Sequence, residues 1–313
     1  MPKLDNVKEK YVNGYQVDKE TEDVIYSDAK HLYLDKYDNK PYVSVTTLIH
    51  KYVNEFDSAF WSAYKACEAL VDSEIFKVVK TSLLNTKRWD PKLLEKLKIS
   101  KEEFESKRTE ILQSYETERN KSCERGTKIH AQFENMYYQS EEQDLKKFGL
   151  GGKFTCKKGY YQLDLEKGVY PEFMISYKSE DGLLRIAGQL DLLIKDGNDI
   201  YIYDYKTNKK LEKESFYNRF TKSRTMMKFP MDNIMDCNFY HYTLQLSLYA
   251  YLLQKINPNF NIKRLVLIHI DHNNHITEHE CDYLKSDVET MLKHYKRDIK
   301  IKSELDLDKP IVF

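Results

Sequence analysis

Apolar and polar positions alternate along residues 24–35 (VIYSDAKHLYLD) and again over 41–43, the period of half-buried strands. Ser44 stands in an N-cap position ahead of a short helix in SVTTLIHKYV. Asp57 caps a longer predicted helix, SAFWSAYKACEALVDSEIF, and Asp90-Pro91 opens another through the cap-then-proline signal. Residues 101–138 carry a mostly helical pattern, with an interruption expected near Gly126. Strands are predicted over about 169–177, 183–195 and 199–205. The stretch FYHYTLQLSLYAYLLQK (239–255) is apolar on most sides, which marks a buried helix. Two further strands (about 264–271 and 275–281) and a C-terminal helix (283–301) complete the pattern. The order predicts a mixed β-sheet flanked by helices behind a helical first third: an α/β fold with an N-terminal helical elaboration.

The chain has 313 residues, enough for a sizeable core. Fifty basic residues balance fifty acidic ones, so net charge argues neither for nor against a polyanionic partner. Distribution says more. From Lys206 to Lys228 eight Lys or Arg face only Glu212 and Glu214. Such a run is most often a solvated loop. No run of about 20 apolar residues exists, so no membrane span is expected, and the polar N-terminus lacks a signal-peptide core. The five cysteines are scattered and hold no Cys-x-x-Cys pair, which argues against a disulfide framework or a four-Cys zinc site. A reducing, cytoplasmic setting is the expectation.

The stretch GQLDLLIKDGNDIYIYDYKT (188–207) carries the most chemistry. Gly197-Asn198 is a good two-residue hairpin loop. Positions then pair when their numbers sum to 395, which sets Asp196 opposite Asp199 and Asp191 opposite Asp204. Opposed Cβ atoms lie about 4.5–5.5 Å apart, and like charges there are destabilising. Two facing carboxylates need a shared proton or a cation. Lys206 lies two residues past Asp204 and so on the same face. Acids and an amine among apolar neighbours suit a Mg²⁺ or Mn²⁺ site. Asp-x-Lys alone is uninformative: Asp28-Ala-Lys30, Asp38-Asn-Lys40 and Asp90-Pro-Lys92 also occur.

Other segments add candidates. RGTKIHAQFE (125–134) sets His130 and Glu134 on one helical face, either a surface pair or a ligand with its neighbour. YPEFMISYK places Glu172 at the start of a strand, as an edge charge or another metal-proximal acid. Gln245, among leucines on the buried helix, needs a polar partner, and Tyr249 follows four residues later. In order, these read Gly-Thr-x-x-His, Glu, Gly-x-x-Asp, Asp-x-Lys and Gln-x-x-x-Tyr, over about residues 125–249. The series resembles the RecB-like branch of the PD-(D/E)XK nuclease superfamily. The segment PYVSVTTLIHKYVNEFD (41–57) is similar to the one preceding the core in phage exonucleases and the mitochondrial genome maintenance exonuclease.

The resemblance implies a restriction-endonuclease-like fold: one nuclease domain over 1–313, with a core at 121–302 and residues 44–120 as a helical elaboration over the active site. It implies that His130, Asp191, Asp204 and the Tyr205 carbonyl hold a divalent metal, that Lys206 orients the attacking water, and that Glu172, Glu134 and Thr127 assist. Gln245 and Tyr249 would position a DNA strand, and Lys209, Lys210 and Arg224 of the basic segment would contact its backbone. Phe216, Tyr217, Phe220 and Phe229 could stack on unpaired bases, although core packing is the commoner fate of such residues. Relatives with an iron–sulfur cluster carry three cysteines after the Gln-x-x-x-Tyr helix. Only Cys281 follows Tyr249, so no cluster is expected. The implied activity is exonucleolytic hydrolysis of single-stranded or end-bearing DNA in replication, recombination or repair. A structure-specific endonuclease and a non-catalytic DNA-binding module are the alternatives. No helicase or ATPase motif is present, so unwinding would need a helicase or recombination protein as partner. The histidine-rich HIDHNNHITEH (269–279) reads as a solvated hairpin rather than a second metal site.

Overall fold

The computed structural model describes residues 10–12, 14–157, 161–163, 165–219 and 221–307. Its central feature is a nine-stranded mixed sheet. In chain order the strands are β1 (Lys19–Glu20), β2 (Val24–Ser27), β3 (Leu32–Asp35), β4 (Pro41–Ser44), β5 (Gly168–Lys178), β6 (Arg185–Asp196), β7 (Asp199–Lys206), β8 (Asn261–Ile270) and β9 (Ile276–Glu280). Their spatial order is β9-β8-β7-β6-β4-β3-β2-β1, with β5 on the other edge of β6. The β6–β4 and β7–β8 pairs are parallel; the other pairs are antiparallel. This is the mixed, helix-flanked α/β architecture of restriction-endonuclease-like folds.

The helices are α1 (Val45–His50), α2 (Ser58–Leu70), α3 (Ser73–Thr86), α4 (Leu93–Leu97), α5 (Lys101–Tyr138), α6 (Asn238–Ile256) and α7 (Lys285–Leu307). The chain forms two compact units. One comprises the described parts of Met1–Val53, Ile129–Phe216 and Arg224–Phe313; the other comprises Asn54–Lys128 and Tyr217–Ser223. Helix α1 falls in the first unit.

Several caps act as the sequence predicts. Ser44 accepts from the Thr47 N–H and Asp57 from the Phe60 N–H. The helix expected over 58–76 is instead two. Val71 is extended, and Asp72 caps a new helix by accepting from the Glu74 N–H. Asp90 opens a turn, and α4 starts only at Leu93. No interruption occurs at Gly126: α5 is helical throughout. One mid-helix glycine costs about 1 kcal/mol, which a long run of good helix formers absorbs.

Two apolar layers cover the sheet of the first unit. Helices α1, α6 and α7 pack on one face against Leu190, Leu193, Ile200 and Ile202. The end of α5 and residues 145–154 pack on the other against Leu192, Ile194, Tyr203 and Tyr205. Burial on both sides explains why α6 reads as apolar nearly all round.

Candidate active site

The hairpin of β6 and β7 has the register expected from its loop, from Leu192↔Tyr203 to Asp196↔Asp199. Gly197 alone in the loop has positive φ, at +61°. Glycine in a left-handed conformation at the first loop position is the mark of a type II′ turn.

The pairing ends just before the functional residues. On this edge β6 pairs with β7 as far as Leu192 and with β4 at Ile186 and Ala187. Gly188–Asp191 lie between, with no strand partner on that edge among the described residues. Side chains take over the ladder there. The Asp191 carboxylate accepts from the Tyr205 N–H at 2.6 Å, and the Tyr249 hydroxyl donates to the Gln189 carbonyl at 2.8 Å.

The same place disturbs the alternation of faces. Leu190 packs with one apolar layer and Leu192 with the other, although they are two apart. On β5, Tyr170 and Phe173 share one layer although they are three apart. The register of β5 on β6 sets Glu172 across from Asp191, flanked by Phe173↔Leu190 and Pro171↔Leu192. Glu172 has φ of +51°. Such a conformation costs a non-glycine residue about 1–3 kcal/mol and clusters at functional sites. Both strands thus change phase at the two acids. Glu172 lies inside β5, not at its start as the sequence suggested.

His130 reaches this point from α5. His130, Phe133 and Tyr137 form one stripe of that helix. Phe133 stacks on Tyr205 at 4.2 Å, with Tyr137 buried below. The imidazole Nδ1 lies 3.3 Å from Asp191 Oδ1 and 3.9 Å from Glu172 Oε1, and Nε2 lies 3.1 Å from the Tyr205 carbonyl. Acceptors beside both nitrogens favour the doubly protonated ring, which must give up one proton before it can bind a metal. Burial opposes that charge, but Asp191, then Asp204 and Glu172, push the imidazole up to about 9. Burial also works against ionised Asp191, yet His130, Lys206 and the Tyr205 N–H hold its carboxyl below the usual range.

Asp204 and Lys206 occupy the opposite, α6 side. Asp204 is 2 % exposed. Its Oδ2 lies 2.5 Å from Lys206 Nζ, and Oδ1 accepts from Gln245 Nε2 at 3.4 Å. Burial pushes the Asp204 carboxyl up to about 6 against the pull of Lys206, with Asp191 adding to the rise. Lys206 sits 4.4 Å from the Tyr242 ring centroid; burial opposes its charge, but Asp204 and Asp191 raise its pKa. Burial and the Asp191 charge push Glu172 up to about 7.

Donor atoms of His130, Glu172 and Asp191 lie within 4.8 Å of one another. Two carboxylates and one imidazole, with the Tyr205 carbonyl beside them, form a donor set suited to Mg²⁺ or Mn²⁺. Burial first, and the Asp191 charge second, oppose ionisation of Glu172, and a divalent cation would favour its carboxylate form. The residues fit a metal. Glu172, a candidate metal-proximal acid in the sequence, falls in this group, and Asp204 lies beside it on Lys206.

The remaining candidates separate. Glu134 adds its negative charge to the environment of Glu172. Thr127 is exposed and its hydroxyl donates to its own helix, at the Cys123 carbonyl. Tyr249 is 3 % exposed and holds the β6 backbone through the Gln189 carbonyl. Lys209 and Lys210 are exposed, while Arg224 pairs with Glu214 at 2.5 Å and donates to the Ser215 carbonyl. Phe216 and Phe229 are exposed rather than packed in a core, as is Tyr217; Phe220 lies outside the described residues. Sequence reasoning missed three contacts. Gln189 Nε2 donates to Glu172 from the partner strand β6. Tyr242 shares a helical stripe with Gln245 and Tyr249. Lys19, 3.5 Å from Glu172, gave no local signal.

His130, Glu172 and Asp191 form a candidate metal site beside the Asp204–Lys206 pair. A family model for the PD-(D/E)XK nuclease superfamily matches residues 30–304, and the chain belongs to that superfamily. Nucleases of this superfamily use divalent metals. Among solved structures, one titled "Crystal structure of SSO0001" is similar at 15% identity and a TM-score of 0.27, covering 46% of this chain and 53% of that one. The chain thus spans about half the length of that protein. No curated protein matches. No helix among the described residues is long and apolar enough to cross a membrane.

Proposed function

We propose that the chain is a divalent-metal-dependent DNA exonuclease of the RecB-like branch, hydrolysing phosphodiester bonds from the ends of single-stranded DNA. The convergence of His130, Glu172 and Asp191, with Lys206 held on Asp204 across the same hairpin, carries the reading. His130, Glu172, Asp191 and the Tyr205 carbonyl would hold Mg²⁺ or Mn²⁺. The ion supplies charge stabilisation on the phosphate and an acidified water.

The chain's own groups do the rest. Asp204 keeps Lys206 in the ammonium form, so that it donates hydrogen bonds to the attacking water or a phosphate oxygen. Gln245 fixes the Asp204 carboxylate, and Gln189 fixes Glu172. The exposed Lys209 and Lys210 follow directly after the catalytic strand, where they would contact phosphates without reading bases. The helix that carries His130 continues into a helical unit that the sheet does not need, which motivates dependence on DNA ends. The five free cysteines support a reducing, cytoplasmic setting, and a helicase or recombination protein would supply unwinding.

The test uses end-labelled linear single-stranded DNA and covalently closed single-stranded circles, each with Mg²⁺, Mn²⁺ or EDTA. Metal-dependent shortening of the linear strand and survival of the circle are expected. Rapid cutting of the circle would replace the reading with an endonuclease. Binding without cleavage in either metal would leave a DNA-binding module.

A further inference from the structure

A cavity of about 420 Å³ opens beside the carboxylates, and Glu172 is one of its walls. That volume lies within the range of about 300–1,000 Å³ of small-ligand sites. Its walls divide by chemistry. Pro171, Met174, Tyr138 and Tyr161 make an apolar and aromatic side, and Lys19 supplies a cation. Glu20 and Asp18 also line it; Lys10 at 2.6 Å and Lys36 at 3.0 Å neutralise Glu20, and Asp18 accepts from the Asp28 N–H.

Lys19 differs from Lys206. The Lys206 amine lies 2.5 Å from Asp204 with a largely buried side chain; the Lys19 amine lies 3.5 Å from Glu172, and its side chain is 34% exposed. A loose pair at a cavity wall exchanges its partner for another anion at small cost. Tyr161 is 48% exposed, so part of its ring is open to a flat ligand.

We propose that this cavity is the subsite for the nucleotide next to the scissile phosphate, with Lys19 on the neighbouring phosphodiester and the Tyr161 ring against the base. The assignment rests on the nuclease reading above. A strand lying across the carboxylates must put the nucleotides flanking the cut somewhere. This cavity shares Glu172 with the site and offers what one nucleotide needs, a cation and an aromatic face. Stacking tolerates every base, so the subsite adds affinity with little sequence preference.

The experiment compares wild type with Lys19→Ala, Tyr161→Ala and Tyr161→Phe. Binding of a fluorescein-labelled oligothymidylate is followed by anisotropy in EDTA, and cleavage of the same strand in Mg²⁺. Tyr161→Ala is expected to weaken binding and raise KM by about tenfold, with a smaller change in kcat, and Tyr161→Phe to restore both. Lys19→Ala is expected to lower the slope of log affinity against log salt by about 0.7, the signature of one lost phosphate contact on a single strand. Cleavage by wild type with no change in KM, affinity or salt slope in these variants would overturn the subsite and leave the nuclease reading intact. Binding without cleavage, still weakened by Tyr161→Ala, would remove the nuclease reading and keep the subsite. Failure of wild type to bind the oligonucleotide would overturn the subsite.

Discussion

Gly188→Ala tests whether the site is built on the gap in the β6 ladder. A Cβ at this position would lie 2.8 Å from Tyr249 Cε1, 3.0 Å from the Tyr249 hydroxyl and 3.2 Å from Val45 Cγ2. Carbon atoms in contact prefer about 3.5–4.0 Å, so the ring must move by close to an ångström. Tyr249 is buried on α6 and has little room to give. Overpacking of this kind costs about 1–3 kcal/mol. Displacing the ring also breaks its bond to the Gln189 carbonyl, for about 1 kcal/mol more. Against this, Ala is favoured over Gly in a strand by about 0.5–1 kcal/mol. The net loss expected is about 1–3 kcal/mol, read as a lower urea midpoint with an unchanged slope in metal-free protein. Activity should fall by up to about 100-fold, since the displaced backbone carries Asp191. In a Tyr249→Ala background the same substitution should cost nothing, giving a coupling above about 1 kcal/mol. A Gly188→Ala protein as stable and active as wild type would refute the seating of Tyr249 against this strand.

The two hairpin acids should part company. Asp191→Asn and Asp204→Asn should both abolish cleavage, but in EDTA at pH 8 Asp191→Asn should lower stability more than Asp204→Asn, because one carboxyl is held below its usual range, while burial pushes the other up to about 6 and offsets part of what Lys206 loses with its partner. Equal shifts in urea midpoint would contradict this. His130, raised to about 9, contributes stability that is fully present below its unfolded value near 6.5 and is lost as pH rises through 9. Metal-free wild type should therefore lose about 1–2 kcal/mol across that window and His130→Gln should not; parallel pH curves would remove the imidazolium from the account.

Much of this arrangement is legible in sequence, and the failures have physical causes. The loop Gly197-Asn198 sets the hairpin register, and the register carries Asp191, Asp204 and Lys206 to one neighbourhood. Gln245, an amide among leucines, announces its need for a partner, and Asp204 is that partner. Period-two reasoning then misleads. It assumes that side chains keep alternating, whereas β5 and β6 change phase at Glu172 and Asp191. A left-handed glutamate has no sequence signature, because tertiary contacts impose its strain. The break at Val71–Asp72 was visible as a second cap signal inside an apolar run. Lys19 was not visible, since its partner lies on another strand far along the chain.

The phase change also divides the three carboxylates of the site among separate cations. Alternating strands would have stacked Glu172, Asp191 and Asp204 on one face, with only Lys206 to balance them. The irregular strands divide them instead. His130 serves Asp191 from the α5 side, Lys206 serves Asp204 from the α6 side, and Lys19 partly screens Glu172 at the rim. Each acid has its own cation, and burial, with the Asp191 charge, pushes Glu172 up to about 7 despite Lys19. The same groups stand in for missing ladder bonds through Asp191 and Tyr249. Substitutions here therefore act on fold and chemistry together, and a fall in activity counts as catalytic only after division by the folded fraction in the same buffer.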